Sequence, residues 1–331
     1  MAKKKMYLVL DTETATLPYA ASMTAEDRKT IAISKPLVYD IGWQLIDAKG
    51  NVYSRKSFLI QETFFVPQIF QTAYYAGKRP LYMDMLQRKE TLVVTWKKLE
   101  KFLYEDLLKC DCVAAYNAQF DFVKAIPYTI KYINHLYSSD FLEWEKKENE
   151  HCQYIVKNPY RGKGKGNGIP QTFQLYDLSL PILDIWGAAC ERLLNNANYK
   201  EYCLDNKLFN PSMQYFRTTA ETSYQFLAKN FNFIESHTAL DDARIESELL
   251  VKMLNQHKKK VEPKIEAFPF RTLGTIFQFV TTNPRGKKYI PMCTELLREY
   301  INENCGYSKE NSVYWRTIIK QFETLLEMCE F

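Results

Sequence analysis

The run Met6 to Glu13, MYLVLDTE, constrains the fold more than any other stretch of the chain. It is apolar and rich in β-formers, and it ends on two carboxylates, Asp11 and Glu13, one residue apart. Side chains along a strand alternate between faces. Asp11 and Glu13 therefore project to one side and Thr12 to the other. Two like charges side by side repel, and the pair makes sense if something positive sits between them. A hard divalent cation, Mg²⁺ or Mn²⁺, suits carboxylate oxygens. The plain alternative is a polar strand end, and only partners elsewhere in the chain can decide between the two.

The bulk composition sets the class of molecule. With 331 residues, the chain is long enough for one large domain or two smaller ones. At 46% hydrophobic and 25% charged it has material for a substantial core. Against 39 acidic residues stand 44 basic ones, a net charge of +5 that leans slightly toward polyanionic partners. Acids gathered at a metal site would leave the remaining surface more basic still. The 15% aromatic content builds core and leaves stacking surfaces for bases. Of the eight cysteines only Cys110 and Cys112 are close, and that spacing is not a zinc pattern. No run of roughly 18 apolar residues exists, and the first residues lead into the strand without a signal-peptide core. A cytoplasmic or nucleoid-associated protein with no membrane span is expected.

Further along, Leu37–Ile46 and Val52–Ile60 read as strands joined by a turn with Gly50 near its tip, hence a hairpin. Residues 62–94 read as helix in pieces. Thr95 caps a helix whose stripe is Trp96, Leu99, Phe102, Leu103 and Leu107. A short buried strand at Cys112–Tyr116 leads into Asn117–Asp121 and a helix bent at Pro127. Residues 143–175 read as an insertion containing the basic, glycine-rich loop Arg161–Gly168, which lacks a P-loop pattern. Leu180–Asp184 is a further strand, and helices follow over Glu221–Phe231, with Phe231 inward, and Asp241–Leu254. Alternation of β and α argues for an α/β layer fold with a mixed sheet. Lys258–Lys260 mark a linker, and the tail ends in a helix with Trp315, Ile318, Ile319, Phe322 and Leu325 on one face.

The partners for Asp11 and Glu13 come late, in SHTALDDARIESELL, Ser236–Leu250. Thr238 with Asp241 resembles a capping box and gives Asp241 a structural task. Asp242 points elsewhere on the helix. His237 lies on the preceding loop, where a side chain can swing. A carboxylate fixed by a helix and a mobile imidazole suit a metal ligand and a proton acceptor.

Taken in order, Asp11-Thr12-Glu13, Asn117–Asp121 and His237 with Asp242 five residues on resemble the three motifs of the DEDDh (DnaQ-like) 3′–5′ exonuclease family. That family includes the epsilon proofreading subunit of bacterial replicases and RNase T. The resemblance covers residues 6–255 and implies a ribonuclease H-like mixed sheet flanked by helices. It implies hydrolysis of DNA or RNA from the 3′ end to nucleoside 5′-monophosphates, with two divalent cations, Mg²⁺ or Mn²⁺, roughly 3.5–4 Å apart. Carried over to this sequence, Asp11 would bridge both ions, Glu13 and Asp242 would complete one site, and Asp121 would serve the second. His237 would be the general base, a role its ordinary pKa of about 6.5 suits. Thr14 and Ala15 follow the first motif, where the family places the terminal nucleotide. Asn117 either fixes the loop before Asp121 or touches substrate. Asp184 reads as a structural acid.

The expected organisation is an exonuclease domain over 1–256, with the insertion at 143–175, and a mainly helical C-terminal extension over 257–331. Single-stranded or 3′-ended nucleic acid is the expected partner, with polymerase docking or self-association through the extension. The alternative is a catalytically silent nucleic-acid-binding or polymerase-associated module on the same fold.

Overall fold

The computed structural model describes residues 4–157, 172–210, 212, 214–255, 275–304 and 313–329. The loop Arg161–Gly168, the Lys258–Lys260 linker and the expected boundary at 256/257 lie outside the described residues. The chain divides into two compact units, Met1–Trp186 with Ile234–Glu266, and Gly187–Phe233 with Ala267–Phe331. The span 187–233, read from the sequence as part of the first domain, thus falls with the C-terminal segment.

The first unit is an α/β layer structure around one mixed sheet. Its strands are β1 (Met6–Ala15), β2 (Leu37–Asp47), β3 (Val52–Ile60), β4 (Leu92–Val94), β5 (Cys112–Ala115), β6 (Thr172–Leu175) and β7 (Leu178–Asp184). They lie in the order β4-β3-β2-β1-β5-β7-β6, so β1 is central. The β2–β3 hairpin is antiparallel, as its Gly50 turn predicts. β1 runs antiparallel to β2 and parallel to β5, which in turn runs parallel to β7. β4 and β6 are edge strands that the periodicity did not reveal; at 3 and 4 residues they are too short to show a pattern.

Helices α1 (Ala25–Ser34), α2 (Gln61–Phe64), α3 (Pro67–Phe70), α4 (Arg79–Gln87), α5 (Trp96–Leu107), α6 (Ile126–Leu136) and α7 (Phe141–Lys157) follow the chain. Thr95 caps α5 as expected, accepting from the Lys98 N–H. The bend expected at Pro127 is a widened π-type turn, Phe120–Ala125, feeding α6. The first part of the expected insertion is the ordered helix α7, whose Glu148 pairs with Lys35 and with Lys131 at 2.8 Å.

Beyond β7 come α8 (Ile185–Leu193), α9 (Ala197–Asp205), α10 (Ala220–Ala228), α11 (Ala239–Asn255), α12 (Ile276–Thr282), α13 (Ile290–Asn304) and α14 (Val313–Cys329). α11 returns to the first unit and packs on β1 and β2. In the second unit α10 ends before Phe231, which is 55% exposed rather than inward. There α14 packs against α13 and buries Trp315, Ile318 and Leu325, while Ile319 stays exposed. No described helix is long and apolar enough to cross a membrane.

Two faces of β2 explain the layering. Trp43 turns to one side, where its indole donates to Asp106 of α5 at 3.0 Å. Asp40 and Gly42 turn to the other, against the start of α11.

Candidate functional site

The site is built where β1 outruns β5. Their pairing ends at Val9 with Ala114, so the last residues of β1 have no β5 neighbour. A central strand with partners of opposite sense on its two sides leaves a crevice at its carboxyl end, the usual place for ligands in open α/β sheets. On the β2 side Asp11 pairs with Gly42 and Glu13 with Asp40. Directly paired residues share a face, so Asp11 and Glu13 do point the same way, toward α11, with Asp40 beside them.

Gly42 admits that helix. A Cβ there would lie 2.3 Å from the Leu240 nitrogen and 2.4 Å from its Cα. Without a side chain at Gly42, the first turn of α11 can settle on the sheet and carry Asp242 to Asp11 and Glu13. Asp40 fixes the same turn by accepting the Ala239 N–H at 2.9 Å and the Tyr82 hydroxyl at 3.0 Å. The expected task of Asp241 is present in another form. Its carboxylate accepts from the hydroxyls of Ser236 and Thr238, each at 3.2 Å, while Asp40 meets the first helical N–H.

His237 is not on a free hinge. Its backbone is left-handed, φ 52°, a conformation that costs a residue with a side chain about 1–2 kcal/mol. The imidazole stacks on Tyr75 at 4.5 Å between centroids and 15° between planes. Lys78 grips the backbone beneath it, with Nζ 2.5 Å from the Ser236 carbonyl oxygen. The ring's Nδ1 lies 3.7 Å from Glu235 and 3.9 Å from Asp242. Glu13, His237 and Asp242 each offer a ligand atom within 4.8 Å of the others.

Asp121 approaches from the β5 side. Its Oδ1 accepts the Thr12 hydroxyl at 2.6 Å, so Thr12, which alternation turns away from Asp11, holds the next carboxylate in place. The turn before it is pinned by Asp184, which accepts the N–H groups of Asn117 at 3.1 Å and Ala118 at 3.3 Å. Asn117 itself is left-handed, φ 66°, which Asn tolerates better than most residues. The backbone of Asn117 is held by Asp184, which is structural here, while the substrate-contact reading of the Asn117 side chain is untouched by this bond. Thr14 is partly exposed and Ala15 buried, both paired with β2 past an irregularity after Glu13.

Electrostatically these acids form one system. Burial pushes the Asp11 carboxyl well above the usual range, and the charges of Glu246, Asp121, Asp242 and Glu13 push it further. Glu13 is raised by burial, then by Asp242 and Asp40, against a lowering by Lys78. Burial takes Asp242 up to about 8, with Glu235 and Asp40 adding and Lys78 opposing. Asp121 rises to about 7 because burial outweighs its hydrogen bonds from Thr12. Glu246, on the Asp242 face of α11 one turn on, is also raised by burial and by Asp121.

The residues present fit a hard cation. Among the described residues, Oδ1 of the buried Asp242 has no hydrogen-bond partner, and neither has Oδ1 of Asp40. A buried carboxylate oxygen without a donor is costly, and a cation removes that cost. Asp11 and Asp121 fall outside the tight Glu13–His237–Asp242 group; Asp11 feels the charges of Glu13 and Asp242, and Asp121 those shared with Asp11 and Glu246.

Sequence reasoning missed Glu246, Asp40, Thr12 in its bonding role, Tyr75 and Lys78. Glu246 was readable, since it follows Asp242 by four residues on one helical face. So was Asp40, an acid within the apolar strand Leu37–Ile46. Tyr75 and Lys78 carry no local signal, because only the tertiary fold brings residues 75–78 to residue 237. No protein-family model, curated protein or solved structure matches this chain.

Proposed function

We propose that the protein is a metal-dependent 3′–5′ exonuclease of the DEDDh type on a ribonuclease H-like fold, hydrolysing DNA or RNA to nucleoside 5′-monophosphates. The observation that carries this reading is the convergence of two segments far apart in the chain on one under-satisfied acidic centre. Glu13, His237 and Asp242 meet within 4.8 Å, and among the described residues a buried oxygen of Asp242 has no hydrogen-bond donor.

Asp11, Glu13, Asp121 and Asp242 would hold two divalent ions, Mg²⁺ or Mn²⁺. Bound there, the ions supply charge neutralisation and Lewis-acid stabilisation of the phosphoryl oxygens. Asp11 and Glu13 are held rigid by the β1–β2 ladder, Asp242 by α11 and Asp121 by Thr12. Rigid placement removes reorganisation from the reaction step. His237 takes the proton of the attacking water. Carboxylates beside Nδ1 favour the tautomer protonated there, which leaves Nε2 as the acceptor.

The test uses single-stranded DNA, RNA and mismatched duplex labelled at either end, with Mg²⁺, Mn²⁺ or EDTA. Stepwise loss from the 3′ end, abolished by EDTA and by Asp11→Ala, is expected. Activity retained in Asp11→Ala, or internal cuts alone, would sink the proposal. His237→Ala should lose rate while calorimetric Mg²⁺ or Mn²⁺ binding persists; loss of binding would make His237 a ligand instead of the base.

A further inference from the structure

We infer that Tyr75 and Lys78 are positioning residues that lock the His237 imidazole against the acidic centre. Neither belongs to a motif of the sequence, and both come from the connection between α3 and α4. The inference rests on the exonuclease reading for its catalytic consequence, but its geometric content is independent of it.

Tyr75 and Lys78 hold a strained residue from its side chain and from its backbone. The Tyr75 ring lies flat on the His237 ring, 4.5 Å away and 15° from parallel. The Lys78 ammonium donates to the Ser236 carbonyl at 2.5 Å and approaches the His237 carbonyl at 3.4 Å. The same ammonium sits 4.2 Å from the centre of the Tyr75 ring, within cation–π range. Side chain and main chain of His237 are therefore held by one short segment. A left-handed histidine persists only where its surroundings over-determine it, and such strain gathers at functional sites.

The need for a lock follows from proton transfer. A general base works at hydrogen-bond distance from the proton it takes, so an imidazole free to rotate spends little time in the productive pose. Stacking removes rotation out of the ring plane, and the grip on residues 236 and 237 sets the height of the ring above Glu13 and Asp242. Stacking needs the ring of Tyr75 and not its hydroxyl. Tyr75→Phe therefore keeps the device and Tyr75→Ala removes it. Lys78→Met keeps the aliphatic stem and removes the donor.

The experiment has a spectroscopic and a kinetic arm. The chain has 4 histidines, so the His237 ring proton resonances are assigned by their loss in His237→Ala. In the full-length protein those protons should carry the upfield ring-current shift of a stacked aromatic. Tyr75→Ala should abolish the shift, Tyr75→Phe should retain it, and Lys78→Met should broaden the signals into exchange. In the kinetic arm Tyr75→Ala should lose up to about a hundredfold in kcat, with KM and calorimetric Mg²⁺ affinity unchanged and Tyr75→Phe restoring the rate. Melting curves identify a variant that fails to fold, and Tyr75→Phe and Lys78→Met then carry the test. His237 resonances without an upfield shift in the wild type, or equal damage from Phe and Ala at residue 75, would overturn the inference. If the wild type cleaves no nucleic acid, the exonuclease reading fails and the ring-current arm alone decides the lock.

Discussion

The first unit buries two populations of carboxylates and treats them in opposite ways. At Asp106 burial is outweighed by hydrogen bonds from Trp43, Lys109, Ser54 and Lys56, and the carboxyl is held at about 2. At Glu148 burial is outweighed by Lys131, Lys35 and Tyr128, with the same result, about 2. Around Asp11, Glu13, Asp121, Asp242 and Glu246 the neighbours are mostly other acids, and every one of these carboxyls is raised. Lys78 is the cation that opposes the rise at Glu13 and Asp242, and its own hydrogen bonds go to backbone carbonyls. Asp106 and Glu148 are neutralised by groups of the chain itself; on the proposed reading, the divalent ions would do the same for the other centre.

The sharpest way to break this contrast is to remove one charge from each population. Asp242→Asn should lower hydrolysis by about a thousandfold or more, yet raise the melting temperature in EDTA, because it relieves repulsion among buried acids. Glu148→Gln should leave chemistry intact and cost about 3–5 kcal/mol of stability, since it strands Lys35, itself 7% exposed. Denaturant melts with and without EDTA, alongside the cleavage assay, read both. An Asp242→Asn variant as destabilised in EDTA as Glu148→Gln would erase the distinction.

Gly42→Ala attacks the route by which the acidic centre is assembled. The added Cβ meets backbone of the α11 first turn at 2.3 Å, and backbone cannot rotate aside as a side chain can. Overpacking of this kind costs about 1–3 kcal/mol. Displacing Asp242 and His237 together should cost about a hundredfold or more in rate. Gly42→Ser, which adds the same Cβ with a polar tip, should be at least as damaging, as a clash at the Cβ requires.

That dependence on Gly42 also shows what the sequence could and could not say. Strand alternation alone placed Asp11 and Glu13 on a shared face, and helical period alone separated Asp242 from Asp241. Both are local properties, which is why β1, the β2–β3 hairpin, α5 and α11 were legible. The close approach at Gly42, the Asp40 cap on Ala239 and the Tyr75 stack join residues far apart in the chain. A glycine within a strand pattern signals close backbone approach in general, but not which helix arrives. The same limit explains why His237 read as mobile: a loop position with no local partner looks free until the fold supplies Tyr75 and Lys78. The division that groups 187–233 with the C-terminal segment is likewise a matter of long-range packing, with no composition break to mark it.

The pH response separates the two populations without mutation. Asp121 and Asp242 have folded values of about 7 and about 8, above ordinary unfolded values near 4. Between those limits the folded state holds more protons than the unfolded one, so stability falls as pH rises. In EDTA the melting temperature should drop from pH 5 to pH 8. Asp106 and Glu148, held at about 2, lose their contribution only as pH falls below about 4 and are silent in this window. Mg²⁺ binds the deprotonated acids, so its stabilisation should be small at pH 5 and largest at pH 8, with proton release seen calorimetrically in buffers of different ionisation enthalpy. Each 1 kcal/mol should appear as about 2–4 °C. A Mg²⁺ effect independent of pH would place the ion elsewhere.

The mildest probe tests whether Thr12 belongs to the acidic centre or only to the strand. Thr12→Val preserves shape and β-branching, so the ladder and the packing on its face should survive. It removes the donor that meets Asp121 Oδ1 at 2.6 Å. A hydrogen bond to a charged partner is worth about 1.5–3 kcal/mol, and part of that will be recovered when a bound cation attracts the same carboxylate. About a tenfold fall in kcat is therefore expected, equal to 1.36 kcal/mol of barrier. Stability in EDTA should change little at pH 5, where Asp121 is protonated. Thr12→Ser keeps the hydroxyl and should stay within a few-fold of wild type while losing the β-branch. If Thr12→Ser were the more damaging of the two, Thr12 would act through packing, and Asp121 would owe its position to the Asp184-pinned turn alone.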